Sequence, residues 1–175
     1  MELGTNVVPV YPRHPMALAQ QALTASVLTS GRLTLGIGLS HKFIIEGMFG
    51  MSFDAPSRYM REYLSILQPL LAGEAVQFDG TVLRTTGQLT VTDAHPVPVL
   101  VAAMGPRMLR LAGTTTDGTL LGWAGATNVR DYAAPAIRAA AEEAGRPAPR
   151  ISTALPVCVT DDVDAAHRLA TELFA

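Results

Sequence analysis

The sequence predicts an α/β protein in which a parallel sheet is covered by helices. Three observations carry this reading. Five short apolar runs of strand type alternate along the chain with helical stretches. Glycines mark the ends of those stretches, at Gly31, Gly73, Gly113 and Gly145. One Asp-Gly pair, Asp79-Gly80, sits between two apolar runs and marks a hairpin outside the alternation. The count is about five βα units plus a β-hairpin insertion, in 175 residues that suit one domain.

Each element has its own signal. "LGTNVVPV", Leu3–Val10, reads as a strand. "HPMALAQQALTASVLT" follows, with Met16, Ala19, Leu23 and Val27 on one helical face, and Gly31 ends it. "RLTLGIG" is the next strand, expected over Leu33–Gly38, and a long mixed loop runs from Leu39 to Ala55. "PSRYMREYLSILQPLLAG" is a helix with Tyr59, Tyr63, Leu67 and Leu70 on one side; Pro69 in its last turn should bend it or cut it short. "VQFDGTVLR" is the hairpin, with Asp79-Gly80 as a two-residue turn. "VPVLVAA", Val97–Ala103, is a buried strand, and "GPRMLRLAG" a short helix with Pro106 early. "TLLGW", Thr119–Trp123, is the fourth strand, and an alanine-rich helix capped by Thr127 or Asn128 follows. "ISTALPVCVT", Ile151–Thr160, is the fifth strand. A last helix from Asp161 places Val163, Ala166, Ala170 and Leu173 on its inner face.

Composition narrows the function classes. Hydrophobic residues make up 49% and charged residues 16%, which argues against disorder. The net charge is −2 and the pI near 6.0, so no basic surplus exists to neutralise a nucleic-acid backbone. The apolar runs are too short for a membrane span, and no secretory leader opens the chain, so a soluble, cytoplasmic setting is expected. Cys158 is alone, which excludes an intrachain disulfide, and it reads as a small core residue. His14, His41, His95 and His167 lack ligand spacing, so no metal site is expected.

Two architectures fit the alternation. An open doubly wound sheet suits this length, whereas a complete eight-unit barrel usually needs about 250 residues. Pattern alone favours the open sheet, yet its phosphate fingerprints are missing: "GIGLSH" lacks the third glycine of the dinucleotide motif. In both architectures the chemistry belongs at the carboxyl ends of the strands. Four ends stand out: Asn6-Val7, Gly38-Leu39-Ser40-His41, Ala102 to Pro106, and Trp123-Ala124-Gly125. His41 follows a strand directly, where a titratable group can meet a substrate. Gly105-Pro106 opens a helix whose free N–H groups can hold a phosphate, with Arg107 and Arg110 adding charge or serving only as solvated surface. Ser40 lacks the Gly-x-Ser-x-Gly frame of a hydrolase nucleophile.

"LGTNVVPVYPRHPMALAQQALT", "SGRLTLGIGLSHK", "MREYLSILQPLLAGEAVQFDG", "PVPVLVAAMGPRMLRLAG" and "TDG" occur in an order that resembles the luciferase-like monooxygenase superfamily, and within it the deazaflavin-dependent oxidoreductases. The resemblance covers essentially the whole chain. It implies a partial (β/α)8 TIM barrel: residues 1–175 as a single luciferase-like domain lacking the first two and the last barrel units. It implies a cis peptide and bulge at Asn6-Val7 behind the cofactor ring, and a cleft-lining loop at Ser40 and His41. It also implies a phosphate-receiving turn at Ala103, Met104, Gly105 and Pro106, with His41 as the candidate catalytic residue. The implied cofactor is coenzyme F420, with FMN as the alternative. The implied reaction is hydride transfer between reduced F420 and a small organic substrate. A deazaflavin activates oxygen poorly, so monooxygenation need not be the chemistry. Two alternatives stand beside it: an FMN-dependent monooxygenase of the same superfamily, and a non-catalytic incomplete barrel that binds a ligand or partner chain. No nucleic acid or membrane partner is expected. A homo-oligomer is expected, because an incomplete barrel leaves two sheet edges.

Overall fold

The computed structural model describes residues 1–174. The strands are β1 (Leu3–Gly4), β2 (Val8–Pro9), β3 (Leu33–Gly38), β4 (Val76–Asp79), β5 (Arg84–Gly87), β6 (Val99–Ala102), β7 (Gly118–Gly122) and β8 (Arg150–Ala154). The helices are α1 (Pro15–Leu28), α2 (Lys42–Gly47), α3 (Pro56–Leu71), α4 (Pro106–Thr115), α5 (Ala126–Asn128), α6 (Ala134–Glu143) and α7 (Val163–Phe174); a π-helical turn, Val129–Ala133, joins α5 to α6.

The main sheet is wholly parallel and follows chain order, β1–β3–β6–β7–β8, with β2 continuing the first strand against β3. It curls as part of a barrel. An open doubly wound sheet would have placed strands out of order. Period-two alternation sorts the faces. Leu35, Ile37, Val99, Val101 and Leu121 share one buried cluster with Leu18, Leu67, Leu109 and Ile137 of the helices. The paired set Gly36, Leu100 and Gly118 lies on the other face. The curl brings the two end strands together at the amino-end face: Arg150, at the start of β8, ion-pairs with Glu2, just before β1, and Glu2 also accepts from the Thr34 hydroxyl.

Gly31, Gly73 and Gly145 end their helices in left-handed conformations, φ 74°, 75° and 64°. Gly113 does not end α4. It lies inside it, where a Cβ would sit 2.5 Å from the Ile137 carbonyl oxygen, so glycine lets α4 and α6 approach closely. Pro69 lies inside α3, which ends two residues later at Leu71.

Several expectations give way to physical detail. Six residues of the expected loop Leu39–Ala55 form α2, supported by a Lys42–Glu46 pair one turn apart. The hairpin turn spans Gly80–Leu83, not the two residues Asp79-Gly80, because Asp79 pairs with Arg84. The Glu62 carboxylate of α3 holds this longer turn, accepting from the N–H groups of Thr81, Val82 and Leu83 at 2.8–3.0 Å. The alanine-rich helix starts at Ala126 behind Gly125, so neither Thr127 nor Asn128 is its cap. Its π turn precedes Pro135, which has no N–H to continue the ordinary ladder. The fifth strand stops at Ala154 instead of Thr160: Trp123 takes a left-handed φ of 51°, turns β7 away and makes the last rung to Ala154. Cys158, in the segment beyond that rung, is exposed and is not a core residue. On α7, Val163 and Leu173 are exposed instead of facing inward.

Candidate functional site

The candidate residues gather at the carboxyl ends of the parallel strands. At the first end, the register runs Gly4 against Thr34 and then Val8 against Ile37. Three residues, Thr5, Asn6 and Val7, therefore face two, Leu35 and Gly36: the strand carries a bulge. The Asn6–Val7 peptide within it is cis. The Thr5 hydroxyl fills the broken ladder, donating to the Gly36 carbonyl at 2.8 Å and accepting from its N–H at 2.9 Å. Asn6 is exposed, and Val7 leans over β3. A Cβ on Gly38 would meet Val7 Cγ2 at 2.7 Å and Ala102 Cβ at 3.2 Å. Val7, Gly38 and Ala102 thus form a close-packed wall of small apolar groups across three strand ends.

The second end carries Ser40 and His41. Ser40 has a left-handed φ of 63° and is half-buried, which swings the chain out of β3. His41 takes the N-cap position of α2 without a side-chain cap bond. Its exposed ring lies 5.8 Å from that of Phe43. The helix that sequence reasoning missed places Phe43 beside His41, and the chain after it exposes Met48, Phe49 and Met51. The signal was the run "FIIEGMFGM", too short and glycine-broken to announce a helix by periodicity.

The third end is the turn after β6. Ala103 is buried in the helix-facing core, with its N–H on the Leu120 carbonyl at 3.2 Å, so it supports the turn from below. Met104, Gly105 and Pro106 are exposed above it. Gly105 is the N-cap of α4, with φ −92°, and has no side chain to cap the first turn; Pro106 occupies the first turn. A Cβ at Gly105 would meet nothing within 4 Å. A helix amino end opening onto free space suits an anion. The fourth end presents Trp123, 68% exposed, at the same rim.

Behind the first end, Tyr11 stacks on Tyr59 at 4.1 Å and on Phe53 at 5.3 Å. Its hydroxyl is buried without a hydrogen-bond partner among the described residues. Burial, with Tyr59 and Asp54 nearby, pushes the Tyr11 phenol up to about 12. Burial also raises Tyr63, whose hydroxyl donates to the Arg13 carbonyl at 3.0 Å. These phenols stay neutral through the physiological range and act as packing. The described residues contain no group of three or more His, Cys, Asp or Glu side chains arranged to hold a metal ion. No helix among them is long and apolar enough to cross a membrane.

The site can therefore do three things. It offers a close-packed apolar wall, a helix amino end open to an anion, and two polar groups, Ser40 and His41, at the adjacent strand end. The amino-acid sequence is 32% identical over 168 residues to the 5,10-methylenetetrahydromethanopterin reductase of Methanolobus tindarius, covering 95% of this chain and 50% of that protein. It is 33% identical over 169 residues to the F420-dependent glucose-6-phosphate dehydrogenase of Nakamurella multipartita, covering 93% and 49%. The fold superposes on the coenzyme F420 dependent tetrahydromethanopterin reductase from Methanopyrus kandleri with a TM-score of 0.75 at 27% identity, over 90% of this chain and 50% of that one. The chain spans about half the length of the curated relatives it matches. The family model of the luciferase-like monooxygenases matches residues 1–175, and the chain belongs to that family.

Proposed function

We propose that this chain carries the cofactor-binding part of a coenzyme F420-dependent oxidoreductase that moves a hydride between the reduced deazaflavin and a small organic substrate. The observation that carries the reading is the open amino end of α4 at Gly105, set at the same rim as the bulged Asn6–Val7 strand end. The F420 dependence stated for the Nakamurella multipartita relative and for the Methanopyrus kandleri structure supports the choice of cofactor.

When bound, the deazaflavin supplies the hydride chemistry. The residues of this chain bind and orient. The backbone of Met104, Gly105 and Pro106 receives the phosphate, and Gly105 leaves the room it needs. Val7, Gly38 and Ala102 would back the ring with their close-packed small groups. Ser40 and His41 face the acceptor, and the His41 imidazole holds or gives the proton that accompanies hydride arrival or departure. Phe43 and the apolar side chains of the α2 segment exclude water from the acceptor.

Titration of the purified chain with coenzyme F420 and, separately, with FMN tests the reading. Saturable perturbation of the F420 absorbance, lost in Gly105→Val, is the expected result. Saturation by FMN alone overturns the choice of cofactor, and binding of neither overturns the assignment of the site.

A further inference from the structure

A second cationic feature lies outside the strand-end cleft. Ser57 and Arg61 of α3 face Arg107, Arg110, Leu111 and Thr114 of α4 across a groove of about 360 Å³. Three of the chain's 13 Lys and Arg residues converge there, although the molecule as a whole is acidic. Only Arg110 has an acidic partner, Glu143 at 2.7 Å. The Arg61 and Arg107 guanidinium groups make no ion pair or hydrogen bond among the described residues. Like charges held this close raise the energy of the groove unless something negative enters it.

The helices add to the same field. Both α3, of 16 residues, and α4, of 10 residues, begin at this rim. Neither has an acidic residue in its first turn, and neither N-cap makes a side-chain hydrogen bond. The positive ends of two helix dipoles therefore stand uncompensated beside the arginines. Guanidinium forks match phosphate and carboxylate oxygens in pairs, the Ser57 hydroxyl adds a donor, and Leu111 gives the groove an apolar side. The volume is that of a small-molecule site, too small for a macromolecular partner.

We propose that this α3–α4 groove is a separate binding site for a small phosphate- or carboxylate-bearing polyanion. It lies beyond the turn at Gly105, because its walls are helix side chains and not strand ends. The anion is either a free small molecule or an anionic portion of a ligand seated in the strand-end cleft.

Sodium pyrophosphate, titrated calorimetrically into the purified chain at fixed ionic strength, is the probe. Saturable binding is expected, weakened at least about tenfold in Arg61→Ala/Arg107→Ala, as loss of charge-assisted hydrogen bonds to an oxyanion requires. Circular dichroism of that variant checks that the helices persist. Arg138→Ala, an exposed arginine outside the groove, should bind pyrophosphate as the parent does. The proposal is overturned if the parent binds no pyrophosphate, if the double variant binds it equally, or if Arg138→Ala loses as much as the double variant. The titration repeated with coenzyme F420 separates the two sources. A weakened double variant assigns the groove to part of that ligand, and unchanged affinity assigns it to a free anion.

Discussion

Two glycines at the strand-end cleft make opposite demands. Gly38 has no room for a methyl group, since a Cβ would press into Val7 and Ala102. Gly38→Ala is therefore expected to cost about 1–3 kcal/mol in urea unfolding, as overpacking does. Gly105 has open space and an ordinary φ. Gly105→Val should cost no more than the roughly 1 kcal/mol of a poorer helix cap while weakening F420 binding. If Gly105→Val unfolds the protein, the turn is structural and the phosphate assignment fails. Tyr11 gives a third case. Its hydroxyl is buried without a protein partner, so Tyr11→Phe should leave stability unchanged or raise it by about 1 kcal/mol. A loss above 1 kcal/mol in the same assay would show that the hydroxyl is bonded.

The β4–β5 hairpin depends on one side chain of another element. Glu62, 8% exposed, accepts three backbone N–H groups from the turn that Asp79-Gly80 begins. Burial pushes its carboxyl up, but those N–H groups, with Arg58 nearby, outweigh burial and hold it below the ordinary carboxylate range. An acid held low stabilises the fold above its unfolded value, and that stability is lost as pH falls through the folded value. Glu62→Gln should remove this acid-side dependence, and Glu62→Ala should cost about 3 kcal/mol by leaving three turn donors unpaired. Urea melts across the acid range check both, and an unchanged acid limb in Glu62→Gln would reject the clamp. At the other side of the hairpin, His14 caps α1 through Nδ1 and meets the Thr85 hydroxyl through Nε2 at 3.2 Å. The hairpin thus ties the start of α1 to the middle of α3.

At the scale of the whole molecule, the curled sheet is held at its amino-end face by Glu2 and Arg150, from opposite ends of the chain. The Arg150 guanidinium, and then the Thr34 hydroxyl, hold the Glu2 carboxyl below its ordinary range. Its contribution is present above the ordinary carboxylate value and lost as pH falls below it. Arg150→Ala should therefore flatten part of the acid-side loss of stability. Among the described residues, nothing comparable closes the sheet at the carboxyl end of β8. Leu155, Val157 and Val159 are exposed, the last at 98%, and α7 leaves Val163, Leu169 and Leu173 exposed. So much adjacent apolar surface is expected to drive self-association of the 175-residue chain. Sedimentation velocity at low micromolar concentration checks it. A monomer that stays monomeric, with a sharp cooperative melt, would show that this surface is tolerated.

The sequence by itself determined the alternation of strands and helices, the parallel sheet and three of the helix ends, because these follow from local rules. An apolar run of Val, Leu and Ile extends and buries itself, and Gly31, Gly73 and Gly145 take conformations other residues avoid. It also placed Asn6, Val7, Ser40, His41 and the Ala103–Pro106 turn at strand ends, since a strand's end is a local event. What it left open was whether the sheet curled or lay flat; pattern alone favoured the flat sheet, and only the resemblance pointed to the barrel. Tertiary structure decided where each element stopped. The strand pattern of "ISTALPVCVT" runs to Thr160, yet pairing ends at Ala154 because a strand needs a neighbour and Trp123 turns that neighbour away. Gly113 looks like a helix end in the sequence and is a contact point between two helices in the fold. The hairpin turn has four residues because Glu62, far away in the chain, supplies the acceptor that a two-residue turn would not need. The arginine groove, too, exists only once α3 and α4 lie side by side. Local conformation is encoded by neighbours in sequence; boundaries, clamps and binding grooves are set by neighbours in space, which periodicity does not record.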